Sequence, residues 1–256
     1  MYSRKAFTLI ELLVVIAIIA VLMGMLIPAL GRVKNQAYDV ICQSNLRNYG
    51  TAGTIYIQDN DGRFPDSFTW LHADGYAKGA MDSCAWHDAS YKADGSLWPY
   101  LEAKDVHLCP QFKRLAKSMG CQDPSHDPKI PVDPQYSYSM NCFLGTGELA
   151  VVEKAVSLRT PAETIYFSEE NVWTIEGLSA YVLNNNNLYL SPMSGGAPAP
   201  GVTGTRLFNN IATYHKIKGS DLNSGVANIV FADAHVGTGK AENGYHLGMP
   251  KGYTLQ

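Results

Sequence analysis

Sixteen consecutive residues, Leu12 to Ile27, carry no polar side chain, and from Phe7 to Leu30 only Thr8, Glu11 and Pro28 interrupt an otherwise apolar or glycine run. A helix rises 1.5 Å per residue, so about 20 such residues cross the hydrocarbon core of a bilayer. Arg4 and Lys5 precede the run. Their charge favours retention of the N-terminus in the cytoplasm and places the C-terminal body on the far side. A secretory signal peptide has a shorter apolar core and a small-residue cleavage site after it; here the run is longer and no clear A-x-A site follows. A plain signal-anchor helix accounts for the length and leaves Glu11 unexplained.

A carboxylate inside a membrane helix costs on the order of 2.5 to 3.5 kcal/mol on insertion scales, so Glu11 calls for a partner. A cut between Ala6 and Phe7 would create a charged amine one helical turn before Glu11. The same amine on a neighbouring subunit could neutralise the carboxylate and set the axial register between the two chains. Loss of residues 1–6, with Arg4 and Lys5, lowers the formal net charge by two, from −3 to −5. Lys and Arg are otherwise scattered without a basic block, so no nucleic-acid partner is indicated.

The segment Lys5-Ala6-Phe7-Thr8-Leu9-Ile10-Glu11 resembles the prepilin peptidase site of type IV pilins and type II secretion pseudopilins. The resemblance implies processing between Ala6 and Phe7, N-methylation of Phe7, and Glu11 as the register carboxylate. Ala6 stands where the family usually has glycine. Pro28 matches the family's kinking proline, a residue that removes one helix hydrogen bond.

Past Pro28, Leu30, Val33, Ala37, Val40 and Ile41 recur at helical spacing among Arg32, Lys34, Asn35, Gln36 and Asp39. That pattern predicts an amphipathic continuation of the helix to about Tyr56, weakened at its end by Gly50 and Gly53. Beyond it the chain changes to short segments rich in Tyr, Trp, Gly and Pro, with turn signals at Asp61-Gly62 and Asp94-Gly95. Short β-branched runs at Thr164–Phe167, Ala180–Leu183 and Ala227–Phe231 predict strands. The expected class is α+β and pilin-like: one long N-terminal helix packed on a small antiparallel sheet with long loops. The expected organisation is a leader at 1–6, a transmembrane and filament-core helix at 7–30, an amphipathic stalk helix at 31–57 and a globular domain at 58–256. The polar run Asn184–Asn187 and the small-residue stretch Ser194–Gly204 read as exposed loops.

Cys42-Gln43-Ser44-Asn45-Leu46-Arg47-Asn48, Asp59 to Pro65, Trp98-Pro99-Tyr100-Leu101, Cys109-Pro110, Ser137 to Asn141 and Ala227 to Val236 resemble successive blocks of a planctomycete-type subfamily of large pilin-like proteins. That subfamily closes with His, nine residues, then Asp-Gly. Here seventeen residues separate His215 from Asp233, and Ala234 replaces the glycine. An insertion within 216–224 accounts for the spacing. Two buried thiols would account for Cys42 and Cys109; the shared blocks in which both lie imply instead a disulfide that pins the loop before Cys109 to the stalk helix. A second bridge, Cys121 to Cys142 across the proline-rich stretch 124–134, would leave Cys84 single.

The five cysteines show no CxxC, no CxxCH and no zinc-type spacing among themselves. Asp59-Asn60-Asp61-Gly62 has the alternating oxygen ligands that begin a calcium loop, but no Glu stands at the twelfth position and Pro65 intervenes. A polar turn ending the helix explains the same residues; the alternative is a calcium ion held by Asp59, Asp61 and the distant Asp233. His215, Asp233 and His235 could form a metal or acid–base set, since residues two apart on a strand share a face. Against that, Asp233 can cap a turn while the histidines bond locally. No nucleophile motif occurs, His87-Asp88 and His107 stand isolated, and no catalytic residue is assigned.

The expected role is therefore a non-enzymatic subunit of a type IV pilus-like filament, held in the inner membrane as a precursor and then extracytoplasmic. Its partners would be membrane lipid before assembly, a prepilin peptidase, the assembly platform with its ATPase, and copies of itself. The alternatives are a type II secretion pseudopilin and a membrane-anchored extracytoplasmic binding or hydrolytic domain.

Overall fold

The structure is a computed structural model that describes residues 8–73, 85–88, 91, 93–124, 126–147, 149–183, 185–193 and 206–253. It divides into two compact units, residues 1–38 and 39–256, which share the 51-residue helix α1 (Leu9–Asp59). The described residues of the first unit are Thr8 and the N-terminal part of that helix. Its apolar side chains from Leu9 to Ile27 are exposed throughout, and it is long and apolar enough to cross a membrane.

The second unit holds the rest of α1, helix α2 (Pro110–Met119), a short α3 (Gly244–Gly248) and one five-stranded sheet. The strands are β1 (Tyr138–Asn141), β2 (Ile165–Glu169), β3 (Asn187–Leu188), β4 (Ala227–Phe231) and β5 (Val236–Gly239). Their spatial order is β3-β1-β2-β4-β5, antiparallel except for the β1–β3 pair. Strands β1, β2 and β4 are buried along their whole length, which is why β2 and β4 read as near-continuous apolar runs. Asn228 and Val230 of β4 meet α1, while Ile229 points to the opposite face, where it, Ile211 and Leu247 surround the space a Cβ on Gly239 would fill.

The face of α1 that packs on the body differs from the expected one. Val33, Val40 and Ile41 stay exposed, and the buried positions are Cys42, Asn45, Leu46, Tyr49, Gly50, Ala52 and Gly53. Close approach selects this face: a Cβ on Gly50 would strike Val230 and Ala234, and one on Gly53 would run into the Tyr166 ring. Tyr49 then reaches the centre of the core, with ring contacts to Trp70, His107, Tyr138 and Phe167 at centroid distances of 5.1–5.7 Å. Its hydroxyl lies 2.7 Å from His107 Nδ1, and His107 Nε2 lies 2.7 Å from the Leu101 carbonyl. A carbonyl can only accept, so Nε2 carries the proton and Nδ1 accepts from Tyr49.

Helix α1 ends at Asp59, two or three residues past the expected end at 56–57. Asp61 adopts a left-handed φ of 53°, and the Gly62 N–H returns to the Ile57 carbonyl at 2.9 Å. That closure is the Schellman form of a helix C-terminus.

Two further expectations fail. Ala180–Leu183 is not a strand; its N–H groups are taken up by the Leu207, Phe208 and Asn171 carbonyls from irregular segments. The Asn run is partly interior, since Asn186 and Asn187 are buried and Asn187 begins β3. The Asn186 carbonyl accepts from Trp70 Nε1 and the Met140 N–H, its Nδ2 donates to the Tyr138 carbonyl, and Asn187 Nδ2 donates to Ser67 Oγ. Amides here do in the interior what backbone groups do in a longer strand. The stretch Ser194–Gly204 lies outside the described residues.

Gly53→Ala should destabilise the body by about 1–3 kcal/mol through overpacking on Tyr166, although alanine favours a helix by roughly 1 kcal/mol. Urea denaturation of the two chains measures it, and an alanine chain as stable as the parent would refute the close-approach account.

Candidate functional site

At the start of α1, Thr8 and Glu11 form a reciprocal cap. The Thr8 N–H and hydroxyl both donate to Glu11 Oε2, at 2.9 and 2.8 Å, and the Glu11 N–H faces Thr8 Oγ1 at 3.3 Å. This is a capping box, Thr at the N-cap and Glu at the third helical position. The two side chains thus satisfy helix-end N–H groups that have no partner within the helix. Pro28 lies inside the continuous helix. Ala6 and Phe7 lie outside the described residues.

In the body, α1 is bonded covalently to the segment before α2. Cys42 and Cys109 form a disulfide, Cα atoms 5.1 Å apart and 67 residues apart in sequence. Cys109 precedes α2, whose first residue is Pro110, and its N–H donates to Ser137 Oγ at 2.8 Å. Loop closure of this length contributes on the order of 4 kcal/mol in the chain-entropy account. No bond joins Cys121 to Cys142, which is a buried thiol. Burial pushes the Cys142 thiol up, far above its ordinary value.

Beside the disulfide sits His215, almost fully buried between two carboxylates. Its Nε2 is 2.9 Å from Glu169 Oε1 and 3.6 Å from Cys109 Sγ, and its Nδ1 is 3.3 Å from Asp39 Oδ1. Glu169 Oε2 accepts the Asn228 N–H at 2.9 Å, and Asn228 Nδ2 donates to Asp39 Oδ1 at 2.9 Å. Burial works against the imidazolium, but Glu169 and Asp39 outweigh it and raise the pKa of His215 above its ordinary value. The ring thereby ties α1 to β2, and Asn228 of β4 bonds to both of its carboxylates. Cys42, Cys109, Glu169 and His215 place their donor atoms within 4.8 Å of one another. While the sulfurs are bonded to each other they are not thiolate ligands.

Glu169 and Asp39 were missed in the sequence. Neither lies in a recognisable motif with His215, and only the fold brings them together. Asp233 and His235 are elsewhere, in the turn between β4 and β5. Asp233 Oδ1 accepts from the His235 N–H at 3.1 Å and lies 2.6 Å from its Nδ1. Slight burial opposes ionisation of Asp233, yet these bonds hold its carboxyl below the usual range. Ala234 between them has a left-handed φ of 70°. His215 takes its partners from Glu169 and Asp39, Asp233 its partner from His235. Asp59 accepts from the Tyr100 hydroxyl at 3.1 Å, and Asp61 occupies the helix stop. Among the described residues, the groupings of three or more metal donors include none of Asp59, Asp61 and Asp233.

Together these features define the class. The fold is α+β and pilin-like, a long N-terminal helix packed on a mostly antiparallel sheet. Residues 1–27 match the prokaryotic N-terminal methylation motif. The chain is thus type IV pilin- or pseudopilin-like, with the N-terminus of a membrane-anchored, extracytoplasmic precursor. No curated protein and no solved structure matches it.

Two buried groups give the body an alkaline sensitivity. Burial, against the pull of Ser139 and Asn209, pushes the Glu170 carboxyl up to about 8, so the folded chain keeps a proton that the unfolded chain releases near 4.5. His215, raised from 6.5, also binds its proton more tightly when folded. The Glu170 contribution fades between these two values; that of His215 is complete below about pH 6.5 and is lost as pH rises through its raised pKa. Stability from these two groups should therefore fall as pH rises from about 4.5 to about 8, and most steeply above about pH 6.5, where both contributions are being lost. Glu170→Gln, which keeps the shape without the charge, should be more stable than the parent at the upper pH and should flatten the profile. Denaturant midpoints across this range measure both effects, and a Gln chain weaker than the parent at high pH would contradict them.

Proposed function

We propose that the chain is a structural subunit of a type IV pilus-like filament. In this reading residues 1–6 are the leader, removed by a prepilin peptidase between Ala6 and Phe7. Residues 7–30 are the membrane and filament-core segment, 31–57 the stalk and 58–256 the body. The observation that carries it is the exposed apolar helix from Leu9 to Ile27, interrupted by the single carboxylate of Glu11, within a matched methylation motif. An apolar surface on every side of a helix needs either lipid or other helices. Lipid covers it in the precursor, and copies of the same helix cover it after extraction by the assembly platform and its ATPase. Glu11 then exchanges its local cap on Thr8 for the Phe7 amine of a neighbour, which fixes the register. Pro28 supplies the helix kink. None of these steps requires catalysis by the chain.

Membership of the large pilin-like subfamily is supported by Ala234. Its left-handed backbone falls where that subfamily's closing motif has glycine. A body of this size suits a specialised subunit, and a type II secretion pseudopilin would use the same N-terminal helix in the same way.

Peptide mass spectrometry of the protein from its native envelope should find a chain beginning at methylated Phe7. Glu11→Val should still insert and be cut, but its recovery in sheared or pelleted filaments should fall roughly tenfold or more. A mature chain retaining Met1 to Ala6, or undiminished assembly of the valine variant, would sink the proposal.

A further inference from the structure

Three metal-binding side chains that stand far apart in sequence converge at the edge of the body. His87, Cys121 and His126 place one donor atom each within 4.8 Å of one another. Counting spacings between cysteines alone hides this group, because its one cysteine, Cys121, is partnered by histidines rather than by another cysteine. We infer that these residues bind a zinc ion, which pins the loop after α2 to the turn at 85–87.

The state of His87 points to a ligand. The residue is buried, 1% exposed. Its Nδ1 lies 3.2 Å from the Pro131 carbonyl, while its Nε2 is buried with no hydrogen-bond partner. A carbonyl can only accept, so Nδ1 carries the proton and Nε2 presents a lone pair. A buried lone pair without a donor is costly. The same pattern, one ring nitrogen donating to a carbonyl and the other left bare, is how zinc-ligating histidines are oriented.

The other two donors are held by local structure. Gly120 ends α2 with a left-handed φ of 75°, its N–H bonded to the Ala116 carbonyl, so Cys121 leaves the helix at a defined point. Cys121 is a thiol. The N–H of His126 bonds to the Asp123 carbonyl at 3.1 Å, and its ring stands 5.1 Å from that of His87 at an angle of 68°. In a tetrahedral site with bonds of about 2.0–2.3 Å the donor atoms lie roughly 3.3–3.8 Å apart, so a small inward closure of this group supplies three of the four positions and leaves the fourth for water. One thiolate and two imidazoles suit zinc and disfavour calcium or magnesium, which take oxygen ligands.

The surroundings explain what an ion would add. Residues 120–137 contain no helix or strand among those described. Trp86 anchors one side: its carbonyl accepts from the N–H groups of Gln135 and Tyr136, and its ring meets Phe112 of α2. A metal tie from His87 to Cys121 and His126 would fix the other side.

The test is metal analysis of the full chain purified in detergent without chelators. About one zinc per chain is expected, and replacement by cobalt(II) should give the visible absorption of a tetrahedral ion with a sulfur-to-metal band. Cys121→Ser and His126→Ala, at half-buried positions, should each lower the zinc content at least tenfold while far-ultraviolet circular dichroism is unchanged. His235→Ala, an exposed histidine outside the group, should keep it. A chain with neither zinc nor the cobalt spectrum, equal zinc in all three variants, or Cys121 found in a disulfide by peptide mapping would overturn the assignment.

Discussion

The body is organised by the seating of residues 42–53 of α1 on the sheet. Two glycines let the helix backbone approach Val230 and Tyr166 more closely than any side chain would allow. That approach carries Tyr49 into a ring of Trp70, His107, Tyr138 and Phe167. Edge-to-face aromatic pairs add to the area they bury, and the tyrosine hydroxyl finds its acceptor in His107 rather than being left dry. Larger residues at 50 and 53 would lift the helix and open this cluster, so the small residues that look like weak points in a helix are what the packing requires.

Once the helix is seated, its contacts near Asp39 and Cys42 become polar and covalent. Buried charge alone is poor evidence of stability, because desolvation can exceed the attraction it brings. Here the imidazole of His215 has a carboxylate facing each nitrogen, and the second oxygen of Glu169 is occupied by the Asn228 N–H. The knot is directional: it accepts one position of α1 relative to β2 and β4 and leaves donors unpaired in others. The adjacent Cys42–Cys109 bond holds the same position covalently. Apolar packing supplies the association, and the polar and covalent contacts select its register.

Much of this was legible in the sequence and some was hidden for identifiable reasons. The N-terminal helix is legible because an uninterrupted apolar run leaves few other structures, and strands β2 and β4 because β-branched residues mark them. The disulfide followed from the resemblance of its two blocks to those of related pilin-like proteins. The packed face of α1 was misjudged because apolar spacing pointed to Val33, Val40 and Ile41, whereas shape selected Gly50 and Gly53. The asparagine run was misjudged for a related reason: polarity suggests solvent, yet an amide can satisfy buried backbone groups where strands are only two residues long. The partners of His215 lie 46 and 176 residues before it, a relation that no local pattern encodes.

A sheet with strands of two to five residues cannot order long connections through its ladders alone. The backbone N–H and carbonyl groups of those connections still need partners wherever they are buried. This body meets the requirement with side chains: Asn141 donates to both the Ile165 and Gly248 carbonyls, Asn210 to that of Ala241, and Ser168 to that of Asn228. Each such bond orders one place and adds little cooperativity, since breaking it does not unzip a neighbour. Crosslinks act differently, by removing conformational freedom from the unfolded chain over the whole loop they close. The disulfide does this for the stretch between α1 and α2. The segment from α2 to β1 has no strand among its described residues and follows the helix that begins at the end of that closed loop, so a tie there, at His87, Cys121 and His126, would constrain the chain just past the first crosslink.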